Sequence, residues 1–403
     1  MKKLFFALFL AAMFFKLSAQ GEWRYDRSGI YAKETGLLKS WPANGPDLLW
    51  HYDGLGEGHT SVGIASDKLY VTGMLDEKGY LFVLDLNGKL LNKLMYGDEW
   101  SRSYPGARAN PIINDGKVYL MSGTGDLICL NETTLDVVWK RNVFTEFGAR
   151  NLRWGYNEAP VIVGEKIIVT PGGKDHNIVA LNKHTGNLIW SSQGKGDMAA
   201  YCTPLYINAQ GIVPQVVTMT AEHILAVDVA TGNLIWSFYF KEKNSVHPNT
   251  PYYIDNNLFI QASDIGSVML RFKNGGTEVE KIWEEKKLDP ITGHSIIVGD
   301  YIYTSGYIRG GNNHWYCADR HTGKIMYQDK SISAGAVIYA DGMLYCYSER
   351  GEMALVKPTP EKFELISQFP ITMGTAEHWA HPVIHQGVLY VRHGDTLMAY
   401  KIR

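Results

Sequence analysis

Cysteine is scarce in this chain. Four occur among 403 residues, at Cys129, Cys202, Cys317 and Cys346, and none are adjacent or in C-x-x-C spacing. Three of them lie inside apolar strand-like patterns (LICL, WYCA, LYCY), so they read as small buried residues and not as a disulfide framework. An excess of charge is missing too: 39 basic residues face 41 acidic ones, which argues against nucleic acid as the main partner. No transmembrane segment is expected, because the apolar run near the start falls short of the ~20 residues that a membrane span needs. No low-complexity tract or charge block suggests a linker or a disordered tail. A Ser-His-Asp ordering, a P-loop, a dinucleotide fingerprint and G-x-S-x-G are all absent, so the sequence names no reaction.

The first twenty residues, MKKLFFALFLAAMFFKLSAQ, carry a basic start, an apolar run from Leu4 to Phe15 and small residues after it. This pattern reads as a secretory signal peptide over residues 1–20. It predicts a soluble protein exported to a periplasm or beyond. No cysteine follows the run, so a lipid anchor is not expected.

The remaining chain repeats itself. GKVYLMSGTGDLICLNETTLDVVW (116–139), GEKIIVTPGGKDHNIVALNKHTGNLIW (164–190) and TAEHILAVDVATGNLIW (220–236) share one order of strands and turns. Eight units are recognisable, opening at Val62, Pro111, Pro160, Pro204, Pro251, Ser295, Val337 and Pro382, at spacings of 42 to 49 residues. Four short antiparallel strands per repeat at such a period define an all-β fold, an eight-bladed β-propeller. The eighth unit lacks its outermost strand, and an orphan strand, PDLLW, stands at 46–50. Pairing the two would close the ring and remove an exposed edge. The propeller is therefore expected over 46–403, as one domain and a monomer, with residues 21–45 packed along the outside. Thr-Gly pairs at 185–186, 231–232 and 322–323 and Asn87-Gly88 supply the positive φ that tight hairpins need. Trp139, Trp190, Trp236 and Trp283 end the outer strands and are expected between blades.

The repeat motif [AV]-L-[DN]-x-x-T-G-x-x-x-W resembles the pyrroloquinoline-quinone-like (PQQ-like) propeller repeat. That family includes quinoprotein alcohol dehydrogenases and BamB-type exported propellers. The resemblance covers the chain from about Trp41 onward and implies the fold more specifically than the function. It implies PQQ with calcium as a possible cofactor pair and oxidation of an alcohol or sugar, or else an outer-membrane assembly scaffold. The dehydrogenases of this family carry a vicinal cysteine pair against the quinone, which this sequence lacks, and their calcium ligands cannot be placed on it.

In a propeller the segments that enter the innermost strands converge on one funnel. Here they read EGHTSV, PGARANP, WGYNEAP, AAYCTP, VHPNTP, ITGHS, SAGAV and HWAHP. Positions one and three before each strand opener point the same way on an extended chain. Five of thirteen histidines fall in these segments, where about one is expected by chance. His381, His294 and Tyr201 are candidates for acid or base chemistry. His59, Arg108, Arg153, Trp154, Asn157, Glu158, His247 and Trp379 are candidate ligand-binding residues. The arginines would attract a carboxylate, and the tryptophans would stack on a ring. HWAH (378–381) suggests a metal pair, but on an extended segment its two histidines face opposite sides, and no metal site is expected. Arg309 and His314, in the long loop GYIRGGNNHW, are candidates for a lid. The ligand expected is small and polar, a saccharide or a peptide, with an envelope protein as the alternative partner.

Overall fold

A computed structural model describes residues 23–241, 244, 246–291, 293–308 and 312–403. The signal-peptide expectation and Arg309 lie outside the described residues. Eight four-stranded antiparallel sheets form the blades of a propeller. The first blade comprises Gly63–Ala65, Lys68–Leu75, Lys78–Asp85 and Leu90–Asp98, ordered from the axis outward. The eighth is composite. Val383–His385, Val388–His393 and Thr396–Lys401 are completed by Leu48–Tyr52 as the outermost strand. The N-terminal strand thus closes the ring.

The strands alternate as each blade's position demands. Middle strands are packed on both faces by neighbouring blades and are almost wholly apolar and buried, as in Asp126–Asn131. Outer strands are half-exposed, as in Leu188–Ser192.

A repeated lock joins neighbouring blades on the lower face. Four outer-strand tryptophans lie over the turn glycine of the next blade and donate the indole N–H to a backbone carbonyl there. Trp139 donates to Lys183, Trp190 to Val229, Trp283 to Arg320 and, across the ring closure, Trp50 to Leu86, at 2.9 to 3.1 Å. Gly186 has φ +70°, and a Cβ there would stand 2.8 Å from the Trp139 ring. Glycine is therefore required both for the turn and for the close approach. Trp236 differs: it donates to the Gln215 side chain at 2.8 Å, and Gln215 in turn donates to Gly276 at 3.0 Å. The fifth blade has Asn274–Gly276 where a Thr-Gly turn would be.

The segment before the propeller departs from the expectation that it packs along the outside. Only its later part does so. Leu37 and Trp41 join the core of the seventh and eighth blades, and the Leu38 amide donates to the Ile402 carbonyl at 2.7 Å. Residues 23–31 instead run inside the ring. Arg27 donates to the carbonyls of Pro204 at 2.7 Å and Pro160 at 3.0 Å. Arg24 donates to those of Ser295 at 3.1 Å and Val337 at 3.3 Å. Pro204, Pro160 and Ser295 stand at the start of the innermost strands of blades four, three and six, and Val337 lies within that of the seventh, Gly335–Ala340. Below them, Ile30 bridges in parallel to Tyr339. Repeat periodicity carries no information about a segment outside the repeat, which is why this placement was not legible.

All four cysteines are buried and free. Among the described residues no helix is long and apolar enough to cross a membrane.

Candidate functional site

The entering segments converge on the upper face around a cavity of about 550 Å³. That is within the usual range for small-molecule pockets. Its wall is built mainly from the two positions singled out in the sequence. Three residues before the strand openers come His59, Arg108, Asn157, Tyr201, Pro248 and Trp379. One residue before them come Asn110, Ala159, Thr203, His294 and His381. Trp23, Tyr104, Trp154, Asp264 and Glu349 also line it.

The inner residues of this set double as staples between blades. The Asn110 side-chain oxygen accepts the Ser61 amide at 3.0 Å, and the Thr203 hydroxyl accepts that of Ala159 at 3.0 Å. His294 Nε2 accepts the Thr250 amide at 3.0 Å, and the Ser61 hydroxyl donates to the His381 carbonyl at 2.7 Å. A ring nitrogen that accepts from an amide carries no proton, so a neutral His294 bears its hydrogen on Nδ1. Nε2 is thus committed to the fold.

Aromatic rings form one side of the cavity. Trp379 lies between His59 and Tyr104, with centroids 5.0 and 4.9 Å away. Trp154 and Tyr201 are 6.2 Å apart, and the Trp154 amide donates to the Tyr201 oxygen at 3.2 Å. Tyr104, Tyr201 and His294 have φ of +54°, +69° and +52°. Bulky residues avoid this region, and such strain is concentrated at functional sites.

Arg108 sits beside these rings. Its guanidinium donates to the carbonyls of Tyr104, Gly106 and Trp154, leaving part of its five-donor capacity unused. Among the described residues it makes no ion pair. Burial pulls its pKa down to about 10, against the weaker pull of Glu99. Burial, reinforced by the Arg108 and Arg392 cations, holds His59 down to about 3. His59 is therefore neutral at physiological pH. Burial raises Tyr201, which stays a hydroxyl.

The structure does not bring every expected residue to the cavity. Glu158 is fully buried in its blade, where it accepts from the Tyr156 hydroxyl and the Thr170 amide. Its pKa is pushed up to about 8 by burial. His247 is buried against Phe240, with its pKa lowered to about 4 by burial. Arg153 is exposed at the rim, its guanidinium 4.8 Å above the Trp154 ring. His378 turns away from His381, shares a 2.6 Å hydrogen bond between its Nδ1 and the Tyr347 hydroxyl, and stacks on His393. His314 is buried beside Tyr316 and does not line the cavity. Among the described residues no group of three His, Cys, Asp or Glu is placed to hold a metal ion.

Fold and cavity define an eight-bladed propeller with a polar, aromatic-walled funnel at the head of its axis. A family model described as outer membrane protein assembly factor BamB matches residues 35–329. The chain therefore belongs to this PQQ-like propeller family. A quinoprotein ethanol dehydrogenase of Pseudomonas putida is 30% identical over 106 residues, which are 26% of this chain and 16% of that protein. The match thus spans about a sixth of the dehydrogenase. BamB from Moraxella catarrhalis superposes with a TM-score of 0.63 at 14% identity, covering 89% of this chain and all of that one. A quinohemoprotein alcohol dehydrogenase from Comamonas testosteroni gives 0.66 at 12% identity, covering 94% and 79%. At such identities these likenesses show the fold alone.

Proposed function

We propose that this chain is an exported binding propeller whose funnel takes a small carboxylate-bearing saccharide. The observation that carries this reading is Arg108, a cation on the cavity wall with no carboxylate partner among the described residues. A planar guanidinium with free N–H groups suits a carboxylate. Trp379, Tyr104 and Trp154 offer apolar faces for the C–H side of a sugar ring. Asn157, Asn110 and Thr203 offer polar atoms for hydroxyls. The Tyr201 hydroxyl and neutral His59 stand on the same wall, and neither has a pKa suited to a general base near neutral pH, so the reading is one of binding.

The quinone-dependent reading fits the residues less well. No cysteine lines the cavity. Its wall carboxylates, Asp264 and Glu349, stand on the fifth and seventh blades, away from Asn157 on the third. No three-residue metal group is present among the described residues. We derive no step through that cofactor. A scaffold reading draws on exposed apolar pairs that recur on the outer strands, such as Leu90-Leu91, Val137-Val138 and Leu188-Ile189. These lie on the outer perimeter, at the start of the outermost strands, and leave the funnel unexplained.

Thermal unfolding of the mature protein with D-glucuronate, D-galacturonate, D-glucose, and PQQ plus calcium tests the choice. A ligand at 100 times its Kd adds about 2.7 kcal/mol of stability. A uronate should raise Tm and glucose should not. A shift with the quinone pair alone, or with none of the four, would overturn the proposal.

A further inference from the structure

The funnel has a floor that the propeller itself does not supply. In the segment ahead of the first strand, Trp23 lines the cavity. Its ring meets His294 edge-on at 4.6 Å and His381 at 5.5 Å, and the two imidazoles lie 5.0 Å apart. Arg24 and Arg27 hold it there. They donate to carbonyls at the start of three innermost strands and within a fourth, beneath the funnel. Both arginines are buried, and burying an unanchored guanidinium is costly, so these bonds fix the segment in the channel. The backbone is bent to allow it: Arg24, Tyr25 and Arg27 have φ of +52°, +67° and +73°. Such strain persists only where surrounding contacts impose it.

We infer that Trp23 is the floor of the ligand site and a specificity-determining residue. The segment from Trp23 to Arg27 seals the central channel, so a ligand enters from the loop face and ends against the indole. A sealed channel takes the end of a saccharide chain and not a polymer threaded through the ring. Trp23 also packs edge-on against His294 and His381 from below. The ligand class rests on the function proposed above; the floor itself does not.

Two measurements separate the two ideas. Diethyl pyrocarbonate labelling of the full-length mature protein, read histidine by histidine by mass spectrometry, needs no ligand. Trp23→Ala should speed labelling of His381 several-fold, whereas His294, whose unprotonated Nε2 accepts the Thr250 amide, should stay slow. Exposed His51 and His321 should stay unchanged, and His247, buried within a blade, should stay protected. Trp23→Phe should keep His381 slow. An unchanged rate at His381 in Trp23→Ala would overturn the inference. So would a general rise that includes His247 in both variants, because the segment would then support the ring and not floor the site. In the second measurement, D-glucuronate affinity should fall at least tenfold in Trp23→Ala and recover in Trp23→Phe. Equal affinity in all three proteins would also overturn the inference. If D-glucuronate fails to bind the wild type, the saccharide reading fails and the labelling alone decides the floor.

Discussion

The two faces of the propeller solve the same geometric problem in opposite ways. On the lower face, blades are joined by one device used repeatedly: a tryptophan over a glycine, with an indole N–H to a carbonyl. On the upper face no two entering segments are alike. Asn110, Thr203 and His294 each receive a neighbour's amide through a different side chain. Uniform chemistry is what a load shared equally around a ring requires. Varied chemistry, with three bulky residues in the left-handed region, costs stability and is retained where a particular surface is needed.

The largest effect should come from breaking the lower lock. Trp190→Ala should cost about 3–5 kcal/mol in denaturant unfolding, with uronate affinity unchanged in the folded protein. A loss below about 1 kcal/mol would mean that the lock does not hold the blades. Gly186→Ala should cost less, about 1–3 kcal/mol, by forcing a side chain into a positive φ and against Trp139. Gly164→Ala serves as its control. Gly164 also has a positive φ (+58°), but nothing stands within 4 Å of a Cβ there, so its cost should be the smaller.

A pH experiment contrasts a buried carboxyl with the buried imidazoles. Glu158 has its folded pKa raised to about 8 by burial, so the fold keeps a proton that the unfolded chain releases near 4.5. Its contribution to stability is present at low pH and is lost as pH rises toward 8. His59, His247 and His378 have folded values of about 3, 4 and 4, all lowered chiefly by burial. Below about 6.5 the unfolded chain takes up protons that these imidazoles refuse, so stability is lost as pH falls. From these groups, stability should peak near pH 6.5. Glu158→Gln should flatten the decline between 6.5 and 8 and steepen the rise between about 4.5 and 6.5, because the proton it removes is held across that whole window. Urea unfolding across pH 4–9 checks this, and an unchanged alkaline slope in the variant would refute the assignment.

How much of this was legible in the sequence depended on repetition. The Thr-Gly turns, the strand-ending tryptophans and the orphan PDLLW strand recur or complete a period, so ring size, closure and blade order could be read directly. Counting backward from the strand openers also located the cavity wall. His59, Arg108, Asn157, Tyr201, His294, Trp379 and His381, together with Trp154, all meet there. Glu158 and His247 stand two and four residues before their strand openers, so alternation itself turns them away from the wall and into a blade, where each is satisfied or packed. Arg153 was drawn outward onto the face of Trp154. Trp23 carried no register at all. Its only signal was a Trp-Arg-Tyr-Asp-Arg cluster in a stretch that otherwise had no reason to hold two arginines.

The role of Arg108 is tested most directly by calorimetric titration of D-glucuronate into wild type and Arg108→Gln. Saturable binding to the wild type and at least a tenfold weaker Kd in the variant are expected, with the melting curve of the unliganded variant still cooperative. Equal affinity for the two proteins, or equal affinity for D-glucose and D-glucuronate in the wild type, would contradict it.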